Sequence, residues 1–139
     1  MDRLDEFVDK KTRTELMGYC GAMCASIAGR KWIEEAKERR KKHKTVEEFL
    51  SEEARAGGVA REGNVLYTSY QPRKVRMRCF CTLVNGLPVE ETMSPTYCHC
   101  SVGHVKTYWE EVLQRPVKVK LVQSALTGAS ECKFAVRFV

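Results

Sequence analysis

The chain has 139 residues, 43% hydrophobic and 30% charged, with seven cysteines and a formal net charge of +6. That length suits one domain able to bury a core without disulfides or metal as a condition of folding, and the mixture of apolar and charged residues excludes a disordered or membrane-embedded chain. The opening MDRLDEFVDKKTRTEL is too charged for a signal peptide and the least polar stretch, MGYCGAMCASIAG, is too short to span a bilayer, so a cytoplasmic location and no membrane partner are expected.

Leu4, Phe7 and Val8 recur at helical spacing in the first ten residues. Thr12 and Glu15 have the capping-box arrangement, which predicts a helix over about Arg13 to Ala28, ended by Gly29. Leu16, Cys20, Met23, Cys24 and Ile27 then fall on one stripe. RKWIEEAKERRKKHK reads as a charged helix anchored by Trp32, Ile33 and Ala36, its lysines and arginines a solvated face. No base-reading groups are interleaved with them, so a nucleic-acid partner is not expected despite the positive charge. Thr45 and Glu48 form another capping box ahead of VEEFLSEEARA, and Gly57-Gly58 close that helix.

Beyond Gly58 the period changes from helical to alternating. Asn64 to Tyr70 predicts a strand, Gln71-Pro72-Arg73 a turn and Lys74 to Cys81 a second strand, with Val75, Met77, Cys79 and Cys81 on one face. NGLPVEETMSP reads as loop. A helix carrying Val102, Val105, Trp109, Val112 and Leu113 follows, stopped by Pro116. Val117 to Leu121 and Cys132 to Phe138 alternate as two final strands around a turn at Thr127-Gly128-Ala129. The expected architecture is α+β and a single domain over 1–139. Its helical part, 1–58, packs on a small antiparallel sheet whose half of the chain, 64–139, runs strand, strand, helix, strand, strand.

Six cysteines come as three pairs. Cys20 and Cys24 are one helical turn apart, Cys79 and Cys81 share a strand face, and Cys98 and Cys100 open a helix, where free backbone N–H groups favour thiolate. An odd total cannot pair fully within the chain, and in a reducing compartment such spacings point to metal or thiol chemistry rather than a disulfide framework. Any two pairs supply the four thiolates of a zinc site or an iron–sulfur cluster, although none has the C-x-x-C knuckle spacing. A dithiol redox pair is a further option. Against these stands packing, since reduced cysteine is a small hydrophobe and every pair lies on an apolar face; for Cys132, among large hydrophobes, core is the better reading. His43 is expected in solvent, and His99 points away from its flanking cysteines if the segment is extended. His104, four residues after Cys100, is a candidate ligand or general base, although no acid is placed to orient it.

The motifs C-G-x-x-C at Cys20, C-x-C with an apolar run (CFCTLV), TYCHCSVGHVK and RPVKVKLVQSALTGASECKF together resemble an uncharacterised bacterial cysteine-rich family related to 4-vinyl reductase type ligand-binding domains and to proteins named L-2-amino-thiazoline-4-carboxylic acid hydrolase. The resemblance is strongest from Thr96 to Phe138. It implies helices packed on a small antiparallel sheet, a small-molecule ligand and, by analogy of fold, a homodimer formed through the helices. Two positions depart from the family pattern. Thr82 replaces a proline after the C-x-C, and His104 replaces an aromatic, which argues that His104 is not obligatory for catalysis.

Two functions are therefore expected in competition. One is a small-molecule- or metal-binding domain in which Cys20, Cys24, Cys79, Cys81, Cys98 and Cys100 line one site, with zinc or an iron–sulfur cluster as candidate cofactor. The other is a hydrolase of a small cyclic or amide substrate using a Cys98 or Cys100 thiolate, or a metal-bound water, with His104 or more remotely Glu110 or Glu111 as base. A third possibility is a purely structural module.

Overall fold

The structure is a computed structural model and describes residues 2–70 and 93–139. Four helices come first: α1 (Asp2–Phe7), α2 (Lys10–Ile27), α3 (Arg30–Lys41) and α4 (Val46–Arg55). Strands β1 (Val59–Glu62) and β2 (Val65–Tyr70) follow. A 3₁₀ turn, Pro95–Cys98, leads directly into α5 (His99–Leu113), and β3 (Val117–Gln123), a second 3₁₀ turn at Ala125–Thr127 and β4 (Cys132–Phe138) complete the described chain.

The sheet is antiparallel in the order β1-β2-β4-β3, which puts the last strand at its centre. The expected α+β class and the order strand, strand, helix, strand, strand both hold among the described residues. One member differs, however. Val59–Glu62, to which no element was assigned, is a strand, because Gly63-Asn64 make a two-residue hairpin with Gly63 at φ 58°, the conformation a type II′ turn needs at its first central residue. The strand expected at Lys74–Cys81 lies outside the described residues.

Alternation on the strands is read out as burial on one face. Leu66 on β2, Val117 on β3, and Phe134 and Val136 on β4 turn toward α5, whose Val105, Trp109, Val112 and Leu113 supply the opposite wall. Ala36 of α3 and Phe49 and Leu50 of α4 close the same core. The capping box at Thr45 is formed as expected, with the Glu48 N–H donating to Thr45 Oγ1 at 3.1 Å and the Thr45 N–H to Glu48 at 3.4 Å. The other capping box is not. Asp9 caps α2, its carboxylate accepting from the Thr12 N–H at 3.0 Å and from the Thr12 hydroxyl at 2.6 Å, so the helix starts three residues early.

The basic face of α3 is interleaved with acids. Lys41 pairs with Glu38 at 2.7 Å, Lys37 with Glu34 at 3.4 Å, and Arg39 reaches Glu53 of α4 at 2.9 Å, which supports the reading of a solvated face. Arg30 at the start of α3 grips Glu111 of α5 through two hydrogen bonds, 2.6 and 3.0 Å. Among the described residues no helix is long and apolar enough to cross a membrane.

Candidate functional site

The stretch Thr96-Tyr97-Cys98-His99-Cys100 straddles the join between the 3₁₀ turn and α5. Ser94 caps the turn, accepting the Thr96 N–H at 3.1 Å, and the His99 N–H already donates to the Thr96 and Tyr97 carbonyls. Of the free N–H groups expected at the helix start, that of His99 is therefore engaged, because a tighter turn capped by Ser94 precedes α5.

Cys98 is buried and faces the 3₁₀ turn between β3 and β4. Its Sγ stands 2.9 Å from Ser124 Oγ, which also accepts the Leu126 N–H at 3.1 Å. On the other side of the same backbone step, the Ala125 N–H points at Cys132 Sγ, 3.4 Å away. Two thiols thus flank Ser124-Ala125. Cys98 and Leu126 form a small apolar cluster, with Met93, Tyr97 and Leu121 packed on it, and Leu121 also packs against the main core. Ser124 and Thr96 are, with Thr68, the buried polar residues among the described ones.

The opposite side of the turn is polar. Asp5, Lys10, Arg13, Thr14, Ser94, Pro95, Thr96 and His99 line a cleft of about 440 Å³. The Thr96 hydroxyl donates to Asp5 at 2.5 Å, and hydrogen bonds from Ser94 and Thr96 hold the Asp5 carboxyl below its usual range. Arg13 donates to the backbone carbonyls of Val8 (2.9 Å) and Asp5 (3.2 Å), stapling α1 to α2. Burial, and then the charges of Lys10 and Arg13, push the His99 imidazole down. His99 lines this cleft from helical backbone, not from the extended segment that the expectation about its direction assumed.

The remaining nominated residues are distributed as follows. Cys20 and Cys24 are exposed. The buried face of α2 is the other one, Met17, Gly21 and Ala25, so the expected stripe of Leu16, Cys20, Met23, Cys24 and Ile27 is the outer surface of the helix. Cys100 is partly buried at the start of α5, its carbonyl against Gly21. Cys79 and Cys81 lie outside the described residues. Cys132 packs against the main core, in line with the packing expectation. Among the described residues no three or more His, Cys, Asp or Glu side chains are grouped to hold a metal ion. The His104 ring lies against Gly29, and burial pushes its imidazole down. Glu111 is held by Arg30, and Glu110 accepts the Val117 N–H at 3.1 Å.

Ser124, Leu126, Asp5 and Arg13 have no signal in the sequence beyond a turn-forming context and ordinary helical polarity. The roles of Ser124 and Asp5 arise from hydrogen bonds to residues 26 and 91 positions away, and that of Leu126 from packing on Cys98.

Helices on one face of a four-stranded antiparallel sheet, with a buried thiol–hydroxyl pair where a helix entrance meets the sheet's end, define an α+β domain. The chain is similar in fold to the phenol-responsive sensory domain of the transcription activator PoxR, solved with phenol, with a TM-score of 0.50 and 12% sequence identity over 92% of this chain and 71% of that one. The chain belongs to the family of unknown function DUF6144, whose profile matches residues 1–138. A comparison with curated proteins returns no match.

Proposed function

We propose that the domain binds a small, largely apolar organic molecule carrying a hydroxyl or similar polar group, at the Cys98–Ser124 side of the 3₁₀ turn. The observation that carries this reading is the thiol–hydroxyl pair, 2.9 Å apart, set in an apolar cluster of Leu126, Met93, Tyr97 and Leu121 that, among the described residues, meets the main core only through Leu121. A few polar groups in an apolar surround are what orient small ligands. The PoxR domain, described as phenol-responsive, supports the same class of ligand through fold alone. The relation to 4-vinyl reductase type domains belongs to the same reading.

Titration calorimetry with phenols, benzyl alcohols and their matched hydrocarbons tests it. Hydroxyl-bearing members are expected to bind more tightly than their hydrocarbons, Ser124→Ala to remove that preference by about tenfold, and Leu126→Trp to block binding. Equal and negligible heats across the series would overturn the reading.

A metal reading has one observation of its own, the two sulfurs of Cys98 and Cys132 flanking Ser124-Ala125. Zinc or iron that copurifies in a fixed ratio and is lost in Cys98→Ser, with no response to the organic series, would select it. The hydrolase alternative gains no comparable support, since the base nominated for it packs against Gly29.

A further inference from the structure

The outer face of α2 is apolar from Leu16 to Ile27. Tyr19 is 73% exposed, Ile27 72%, Met23 61% and Leu16 48%, and Cys20 and Cys24 lie exposed between them. No charged side chain interrupts the helix between Glu15 and Arg30. At 3.6 residues per turn, Leu16, Met23 and Ile27 form the centre line, Tyr19 flanks it on one side, and Cys20 and Cys24 flank it on the other.

We propose that this face is the interface of a homodimer in which α2 packs antiparallel on α2 of a second copy. The pattern is self-complementary about the midpoint between Gly21 and Ala22. Under an antiparallel two-fold, Leu16 meets the partner's Ile27, and Met23 meets the partner's Cys20, a long side chain against a short one. The two-fold keeps like flanks together, so Tyr19 of both copies closes one edge and Cys20 lies beside the partner's Cys24 on the other.

The area is of the right size. Large apolar side chains present on the order of 150–200 Å² each, so the four exposed fractions amount to on the order of 400–500 Å². The apolar part of a homodimer interface is about 65% of about 800 Å² per partner, roughly 500 Å².

Sedimentation equilibrium on the whole chain, with copper-catalysed air oxidation as the probe of register, tests the proposal. The wild type is expected to be dimeric at about 10 µM, with Tyr19→Glu and Met23→Glu raising the dissociation constant more than about a hundredfold. Both substitutions are on the monomer's surface, so their circular dichroism and melting should remain those of a folded chain. Val122→Glu, on an exposed β3 position, should leave the dimer intact. Residues 20 and 24 of opposite copies are offset by about 1.5 Å along the axis, so oxygen should oxidise them to a Cys20–Cys24 intermolecular disulfide, identifiable by peptide mapping and lost in Cys20→Ser. A chain that stays monomeric at about 100 µM would overturn the proposal, as would Cys24–Cys24 cross-links that persist in Cys20→Ser.

Discussion

Gly21 of α2 lies directly against the carbonyl of Cys100 on α5, close enough that a Cβ at position 21 would collide with it and stand 2.8 Å from the His104 nitrogen. The contact is reciprocated one turn away, where a Cβ on Gly103 would run into the Gly18 backbone. Both walls are main chain and neither can swing aside. Gly21→Ala and Gly103→Ala should therefore destabilise the protein by about 1–3 kcal/mol or more by urea denaturation, although alanine is the better helix former. Gly18→Ala is the control: nothing stands within 4 Å of its Cβ, so it should stabilise α2 by about 0.5–1 kcal/mol.

The same two glycines explain what was legible in the sequence and what was not. C-G-A-M-C draws the eye to its thiols, but the residue that locates α2 is the glycine between them. Once Gly21 and Ala25 face α5, helical geometry sends Cys20 and Cys24 outward, and the apolar stripe that marks a buried face in an ordinary amphipathic helix becomes the exposed one. Small-residue packing leaves no hydrophobic periodicity to read. The strands β2, β3 and β4, the cap at Thr45 and the α5 core face were legible because each depends on residues within a few positions of one another. The Cys98–Ser124 pair was not, since it joins a helix entrance to a turn 26 residues away.

Ser124 carries two duties in one buried atom, accepting the Leu126 N–H at 3.1 Å and sitting 2.9 Å from Cys98 Sγ. Ser124→Ala should cost about 1–3 kcal/mol, since a buried N–H and a buried thiol both lose that contact, whereas Cys98→Ala should leave the cap on Leu126 in place and lose chiefly packing. Cys98→Ser, keeping the size and a hydroxyl, should cost less than Ser124→Ala. Urea midpoints of the three variants compared with the wild type check the order.

The two helix starts make a paired test. Thr45→Ala removes a complete capping box from α4 and should cost about 1 kcal/mol, read as a lower melting temperature. On α2 the cap is Asp9, so Asp9→Ala should lower the melting temperature more than Glu15→Ala does. The reverse order would restore the cap to Thr12, whose partner in a capping box is Glu15.

His104 ties stability to pH through burial alone. Its imidazole is held below the ordinary 6.5, so the unfolded chain takes up the proton first. The histidine's contribution is therefore fully present above pH 6.5 and declines as the pH falls through the window beneath it. The His99 imidazole is lowered as well, by burial and by Lys10 and Arg13, and works in the same direction. Asp5 acts in a separate window: its carboxyl is held below 3.8, so its contribution is intact above that value and is lost only as the pH falls through its own lowered range. Urea midpoints should thus drop between about pH 7.5 and about pH 5 in the wild type, drop less in His104→Gln and in His99→Gln, and least in the double variant. An unchanged drop in His104→Gln would mean that its ring is as well solvated in the folded chain as in the unfolded one, against its position beside Gly29 between α2 and α5.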